Sequence, residues 1–469
     1  MEDFNYKSIF ELSDALDKKQ FSCTELLQQV FVKIDKLEPS LNSFAFLDRE
    51  RALEQAKESE KRQVQGVRIS QLDGIPTSIK DLIAVRGMPQ RFGSRSTDSE
   101  IKEVDAPSVE RLRKAGAIIL GKSTTSEFGC KAVGDNPLTG ITTNPWDTNL
   151  TPGGSSAGAA AMVAGDIVPY AIGTDGGGSI RIPCSLCGLF GIKPQFGRVP
   201  VYPYSATPTL AHVGPITRTV AENALILEII SGFSIKDPFS LNSVSPKFFQ
   251  NLSKDKKFKI AYSPTFGYAK PDDDILKMTE KAAKVLENIG HNVTVVDNVM
   301  ADPHDLWSNE FYAGVMAKLD PVIKDSSHLL DPAVLQMLKN NLNTDLSTFY
   351  KKVLLRYEFR EKINKFFDSF DLLISPTLPT TAFPVGQNLP PNISDRSIVT
   401  WVYYTYPFNL TGQPAASVPI GLSEVGLPVG LQVVGRFADE ESIFSLCAQL
   451  EKNLEFKIQN LIPKGGKLK

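Results

Sequence analysis

The chain has 469 residues, 42% of them apolar and 22% charged, with a formal net charge of −2. That length permits a large buried core, and the charge balance excludes a disordered polar chain, a broad basic surface for nucleic acid, and an acidic or basic tail. Five scattered cysteines, an odd number, argue against a disulfide framework and for a reducing, cytoplasmic setting.

The N-terminal stretch MEDFNYKSIFELSDALDKK is acidic and has no apolar signal region, and no run of about eighteen apolar residues follows to span a membrane. Residues Ser8 to Ala56 read as helices. Ile9, Leu12 and Leu16 recur at helical spacing, and Ser22 followed by Glu25 is a capping-box start for Leu26, Leu27, Val30 and Ile34. Between Gln65 and Val85 the pattern changes to a turn, Leu72-Asp-Gly74, and a short strand that ends in Ile79 and Lys80. Pro107 to Leu120 gives a helix, a stop at Gly116 and an apolar strand, and Phe258 to Val296 repeats strand, helix, Gly290 and strand. This alternation favours an α/β architecture with a sheet covered on both faces.

Gly116 to Ser123 matches the phosphate-loop pattern G-x-x-x-x-G-K-S, with Lys122 as its lysine. The intervening Ala-Ile-Ile-Leu is itself an apolar strand and cannot wrap a phosphate, so nucleotide binding is not expected there. Cys184 and Cys187 form a lone C-x-x-C with no second pair, and buried thiols fit better than zinc. Arg181-Ile-Pro183 and Gly188 to Pro194 read as strand and turn elements. His212 falls in a loop, Ala211 to Pro215, ahead of a helix over Thr219 to Ile230. Acids at Asp272, Asp273 and Asp274 suit a first helical turn without any ion. Asp237 to Asn251 is a polar loop, Met300 to Phe370 is mostly helical, and Thr377 to Ser394 is a proline-rich loop. Strands at Pro414 to Gly421 and Leu427 to Val434 rejoin the same sheet.

The densest signal is Thr151 to Pro183, TPGGSSAGAAAMVAGDIVPYAIGTDGGGSIRIP, where glycines flank Ser155 and precede Ser179. Glycine at that density marks a backbone that must turn sharply or be approached closely. A serine behind such a run is reachable, and the free N–H groups can face a developing negative charge. Either serine needs a base; read locally, His212 and Lys80 both qualify, the lysine only if burial lowers its pKa.

Three stretches in order, GIPTSIKDL at Gly74 to Leu82, TPGGSSAGAA at Thr151 to Ala160 and GTDGGGSIRIP at Gly173 to Pro183, resemble the amidase signature enzymes. Supporting similarity runs through Asn144-Pro-Trp146, Gly191 to Pro194, Gly214 to Arg218 and the C-terminal strands, so the likeness covers nearly the whole chain. It implies an α/β/α sandwich built on a large mixed, twisted central sheet, as one catalytic domain. Within it, 1–65 would be an N-terminal helical part, 66–235 the signature core, 236–395 a variable helical part and 396–469 a C-terminal part. It further implies a Ser-Ser-Lys triad: Ser179 as nucleophile, Ser155 as the relaying serine behind a cis Gly154–Ser155 peptide, and Lys80 as base. Gly176, Gly177 and Gly178 would supply oxyanion donors, Gly129 would line the acyl site, and His212 would lie outside the catalytic set. The expected activity is hydrolysis of linear carboxylic amides to acid plus ammonia or amine, with side esterase activity. No cofactor or metal is expected, nor a nucleic-acid or membrane partner; the partner is a small-molecule amide, with a homodimer allowed for. The runner-up within the family is the glutaminase component of a tRNA-dependent amidotransferase, disfavoured because Asn340 to Phe370 lacks the arginine motif that holds the glutamine carboxylate there. A non-catalytic or nucleotide-binding protein is the alternative of another class.

Overall fold

A computed structural model describes residues 5–242, 246–252, 255–341 and 344–454. Part of the polar loop read over Asp237 to Asn251 therefore lies outside the described residues. The N-terminal helices are α1 (Ile9–Asp17) and α2 (Cys23–Leu41), both opened by reciprocal Ser-x-x-Glu bonds, at Ser22 as read from the sequence and also at Ser8. The expectation of helix throughout Ser8 to Ala56 needs one correction. Asn42 takes a left-handed cap with φ +49, the chain extends into β1 (Phe44–Leu47), and Asp48 caps α3 (Arg49–Gln65) by accepting the Arg51 N–H.

Next come β2 (Pro76–Lys80), α4 (Pro107–Lys114), β3 (Ile118–Ser123), the small hairpin β4 (Asp135–Asn136) and β5 (Gly140–Ile141), α5 (Ala157–Ala164) and β6 (Tyr170–Asp175). The segment expected as strand and turn from Arg181 is instead a helix, α6 (Arg181–Cys187). Pro183 sits in its first turn, where no intrahelical N–H bond is lost, and Gly188 ends it at φ +69. After β7 (Phe190–Lys193), the stretch expected as a loop around His212 is β8 (His212–Thr217). Gly214 and Pro215 suggest a break, yet β8 pairs along its length with β6, while β7 covers only Ile216 and Thr217 and so asks for no donor from Pro215.

The remainder is α7 (Val220–Ile230), β9 (Lys259–Tyr262), α8 (Asp273–Asn288), β10 (Asn292–Val295), α9 (His304–Asp325), α10 (Pro332–Asn341), α11 (Leu346–Phe366), β11 (Leu372–Pro376), α12 (Pro407–Thr411), β12 (Ala415–Leu422), β13 (Pro428–Gly435) and α13 (Glu440–Asn453). Eleven strands form one mixed sheet in the order β1-β3-β2-β6-β8-β7-β12-β13-β11-β9-β10. The late strands β12 and β13 thus lie in its middle, between the signature strands and β11.

Alternation along the strands divides the core. Ile119, Tyr170, Ile172, Leu372 and Ile374 point to one face, packed with α1, α4, α7, α8 and α13. Ile118, Leu120 and Ala171 point to the other, under α2, α3, α5 and α6, and Leu373 and Val434 point beneath α9 to α12. The result is an α/β sandwich with helices on both faces of a mixed sheet, as the sequence implies. Helix α5 is buried throughout, which its run of Gly and Ala permits: a Cβ on Gly158 would stand 2.2 Å from the Ser43 carbonyl oxygen. Lys122 lies buried within β3 and pairs with Asp81 at 3.2 Å, so the phosphate-loop pattern is a strand here. All five cysteines are free and buried, and α8 begins at Asp273 as the acidic run suggests.

Candidate active site

The site lies where parallel strands β2 and β6 end side by side. Thr77 to Ile79 pair in register with Tyr170 to Ile172, which brings Lys80 next to the last residues of β6, Thr174 and Asp175. Carboxyl ends of neighbouring parallel strands are where an open α/β sheet leaves a crevice. Because Ile79 faces the α4 and α7 side, alternation sends Lys80 to the opposite face, towards the chain that enters α5.

Lys80 is fully buried, and its Nζ lies 2.7 Å from Ser155 Oγ, 2.9 Å from Ser156 Oγ and 2.9 Å from Thr174 Oγ1. Burial pushes its pKa well below the ordinary lysine value, opposed only by the charge of Asp175. A neutral amine has two N–H donors and one lone pair. Ser156 Oγ lies 3.2 Å from the Thr174 carbonyl, to which its own proton can go, so it is suited to accept from Lys80. Ser155 Oγ has no other hydrogen-bond partner among the described residues, which leaves its proton free to sit on the lysine lone pair. The Gly154–Ser155 peptide is cis.

Ser179 follows the glycine run between β6 and α6, half-buried, and lines a pocket with Gly129, Gly177, Lys131 and the apolar side chains of Ala132, Ile182, Trp307, Phe311, Val399 and Val402. A Cβ on Gly129 would stand 3.3 Å from Ser155 Oγ, so Gly129 borders both the pocket and the buried serine. No hydrogen bond joins the hydroxyls of Ser155 and Ser179 among the described residues; such contacts commonly tighten only when substrate is bound. The candidates Lys80, Ser155, Ser179, Gly129 and Gly177 therefore come together.

Gly178 needs a correction. Its φ of +135 turns its N–H onto Asp175 Oδ1 at 2.7 Å, so that donor is already in use. Gly176, Gly177 and Ser179 make no backbone N–H bond among the described residues, so the free donors are fewer than the three-glycine run suggests. The loop itself is clamped from both sides. Trp307 Nε1 donates to the Gly176 carbonyl at 2.8 Å, and Thr405 Oγ1 donates to the Gly177 carbonyl at 2.6 Å. We expect Gly178→Ala to destabilise the fold by roughly 1–3 kcal/mol from its backbone conformation alone. Its new Cβ would also stand 2.4 Å from Thr405 Oγ1. Thermal unfolding beside an activity assay checks this, and an unchanged midpoint would refute it.

Asp175 anchors the loop from beneath. It is fully buried and receives Arg181 Nε at 3.0 Å and Nη2 at 2.9 Å, Asn409 Nδ2 at 2.9 Å, and the N–H groups of Gly178 and Ile180. Burial alone would raise its pKa, but the Arg181 guanidinium and these donors hold the carboxyl well below the usual carboxylate range. Arg181 also donates to the Thr405 carbonyl and to Gln432 Oε1, both at 2.8 Å.

His212 makes no bond to either serine. Its Nδ1 lies 2.8 Å from the Leu210 carbonyl and its Nε2 3.3 Å from Lys193 Nζ; burial first, and the Lys193 charge second, keep it neutral well below the ordinary histidine pKa. It braces β8 and stands apart from both serines. Sequence reasoning missed Ser156, Thr174, the Asp175–Arg181 pair, Trp307, Thr405 and Asn409. Ser156 and the Asp175–Arg181 pair stand inside the motifs, as a serine doublet and as acid and base six residues apart. Trp307, Thr405 and Asn409 come from distant segments and carry no local signal. Among the described residues no group of three His, Cys, Asp or Glu is placed to hold a metal ion, and no helix is long and apolar enough to cross a membrane.

The family model for amidases matches residues 25–444. An acylamidase of Rhodococcus erythropolis is 32% identical over 458 residues, covering 96% of both chains. The A-type component of the glutamyl-tRNA(Gln) amidotransferase of Trichodesmium erythraeum is equally 32% identical, over 96% of this chain and 99% of its own. Among solved structures, a bacterial aryl acylamidase of the amidase signature family superposes with a TM-score of 0.91 at 29% identity, covering 99% of each chain. Motifs, sheet and relatives agree: the chain belongs to the amidase signature family and is a hydrolase acting on amide C–N bonds.

Proposed function

We propose that this enzyme hydrolyses linear amides of apolar or aromatic carboxylic acids through an acyl–Ser179 intermediate, with Ser155 as relay and Lys80 as base. The observation that carries the reading is the 2.7 Å contact between a fully buried, depressed-pKa Lys80 and Ser155 Oγ, behind Gly129 in the wall of the pocket that Ser179 lines. Ser179 Oγ attacks the carbonyl carbon while its proton passes to Ser155, whose own proton moves to the lysine lone pair. The C–N bond then breaks as Ser155 returns a proton to the leaving nitrogen, and water releases the acid by the same relay. The free N–H groups of Gly176, Gly177 and Ser179 are the candidate donors to the oxyanion, each such donor being worth roughly 3 kcal/mol. The same route would also cleave esters.

The pocket walls favour an apolar acyl group: Ile182, Trp307, Phe311, Val399 and Val402 offer rings and aliphatic surface. The second reading, the glutaminase component of an amidotransferase, draws on the equal identity of the amidotransferase relatives. A glutamine substrate would bring an α-carboxylate and an α-ammonium needing charged partners. Lys131, the cation that lines the pocket, is held at 2.5 Å by Asp135 and 2.7 Å by Asp331. Arg356, from the stretch where the arginine motif is missing, is half-buried, paired with Glu310, and lines a different cavity. Purified protein assayed on aryl, aliphatic and glutamine amides should turn over aryl or medium aliphatic amides with the highest kcat/KM. Glutamine outpacing all of them would overturn this reading in favour of the second.

A further inference from the structure

A second cavity, sharing no lining residue with the pocket at Ser179, opens between α11, α12 and the turn after β13, with a volume of about 340 Å³. Its walls are aromatic: Phe196 and Phe239 pack at 5.4 Å between ring centroids, and Phe437 and Tyr357, both exposed, face the same space. Three charged groups line it. Arg356 pairs with Glu310 Oε2, which also accepts from Thr209, so the two together carry no net charge, while Glu310 Oε1 is buried without a partner among the described residues. Arg360 has no ion pair or hydrogen bond among the described residues, and its guanidinium lies 4.8 Å from the Phe437 ring centroid. Thr411, buried at 1% exposure on the same wall, has a hydroxyl with no partner.

We propose that this cavity is a second ligand site for a small organic carboxylate with a flat or aliphatic apolar body. The volume falls within the range of small-molecule sites, and an uncompensated guanidinium beside an aromatic wall is matched by an anion attached to an apolar group. Arg360 would hold the carboxylate in a bidentate fork, the Thr411 hydroxyl is the second donor at hand, and the body would lie between Phe239 and Phe437. A bare inorganic anion would leave the aromatic walls unused, and a neutral apolar molecule would leave Arg360 unpaired. The site stands independently of the acyl preference proposed above, since it uses none of the residues around Ser179.

The probe is 3-phenylpropionate, titrated calorimetrically into the full chain, with 3-phenylpropan-1-ol as its uncharged counterpart. We expect saturable binding of the acid and much weaker binding of the alcohol. Arg360→Gln should weaken the acid by about tenfold or more, the scale of one charge-assisted contact. Phe239→Ala, at an exposed wall position that cannot collapse a core, should weaken acid and alcohol alike. Circular dichroism confirms that each variant is folded. Absence of binding to the unmodified protein, equal binding of acid and alcohol, or acid binding unchanged in both variants would each overturn the proposal.

Discussion

Replacing Ser179 by Ala, or Lys80 by Met, should lower kcat/KM for the best amide by about 10⁴-fold or more while leaving the protein folded. Losses of that order follow when a member of a nucleophile–base unit is removed, because the remaining members cannot act alone. Methionine keeps the volume of the lysine stem and burial of Lys80 already disfavours its charge, but the buried hydroxyls of Ser155 and Thr174 lose their amine partner, at a cost of about 1–3 kcal/mol. Circular dichroism should therefore match the unmodified enzyme, with urea unfolding showing only that modest loss for Lys80→Met. Lys80→Arg should be as inactive at every accessible pH, since a guanidinium cannot be deprotonated to accept the Ser155 proton. The same logic sets the pH profile. Lys80 must be neutral to serve as base, so kcat/KM should rise with pH as Lys80 loses its proton and level off beyond. Burial places that rise well below the ordinary lysine range. Either single variant keeping most of the amide turnover, or a rate flat from acid to alkaline pH, would remove Lys80 and Ser179 from the proposed roles.

The second large effect is on stability. Arg181→Met strands the Asp175 carboxylate in a fully buried position, where Arg181 now supplies two charge-assisted bonds at 2.9 and 3.0 Å. Breaking a buried pair from one side costs about 3–5 kcal/mol, because the remaining charge is neither solvated nor paired. Asp175→Asn strands Arg181 in the same way, and because each partner keeps other hydrogen bonds, Arg181 to the Thr405 carbonyl, Gln432 and Asn409 and Asp175 to Asn409 and two N–H groups, the two losses should be similar. The double variant Asp175→Asn with Arg181→Met should lose less than the sum of the two, since no uncompensated charge is left. Urea unfolding of the four proteins measures this cycle. Additive single losses, or an Arg181→Met protein as stable as the parent, would show that the pair is not coupled. Activity should fall with stability in the single variants, because Asp175 fixes the Gly178 N–H and, through Asn409, ties the glycine loop to α12.

The corrections share a cause. At α6, local chemistry misleads: Ile182 and Pro183 read as strand and turn, but a seven-residue helix with proline in its first turn breaks no hydrogen bond, and Gly188 supplies its stop. At β8, Gly214 and Pro215 look like punctuation, and only the two neighbouring strands turn that stretch into a ladder. At Gly178, composition announces a flexible run of donors, whereas Asp175 takes one of those N–H groups into the frame of the loop.

Sequence alone determined the elements with strong local grammar: the Ser22-x-x-Glu25 helix start, the strand that ends at Lys80, and the three motifs that mark the family. Those features rest on contacts within a few residues, so spacing suffices to read them. Only the tertiary structure decided what Lys80 touches, 75 residues away in the chain at Ser155, and that its burial pushes its pKa well below the ordinary lysine value. It also decided which distant side chains hold the glycine loop, Trp307, Thr405 and Asn409, and which wall the pocket. A side chain's partners across the sheet depend on strand order, and strand order is set by how eleven strands share one core, which no local window of sequence contains.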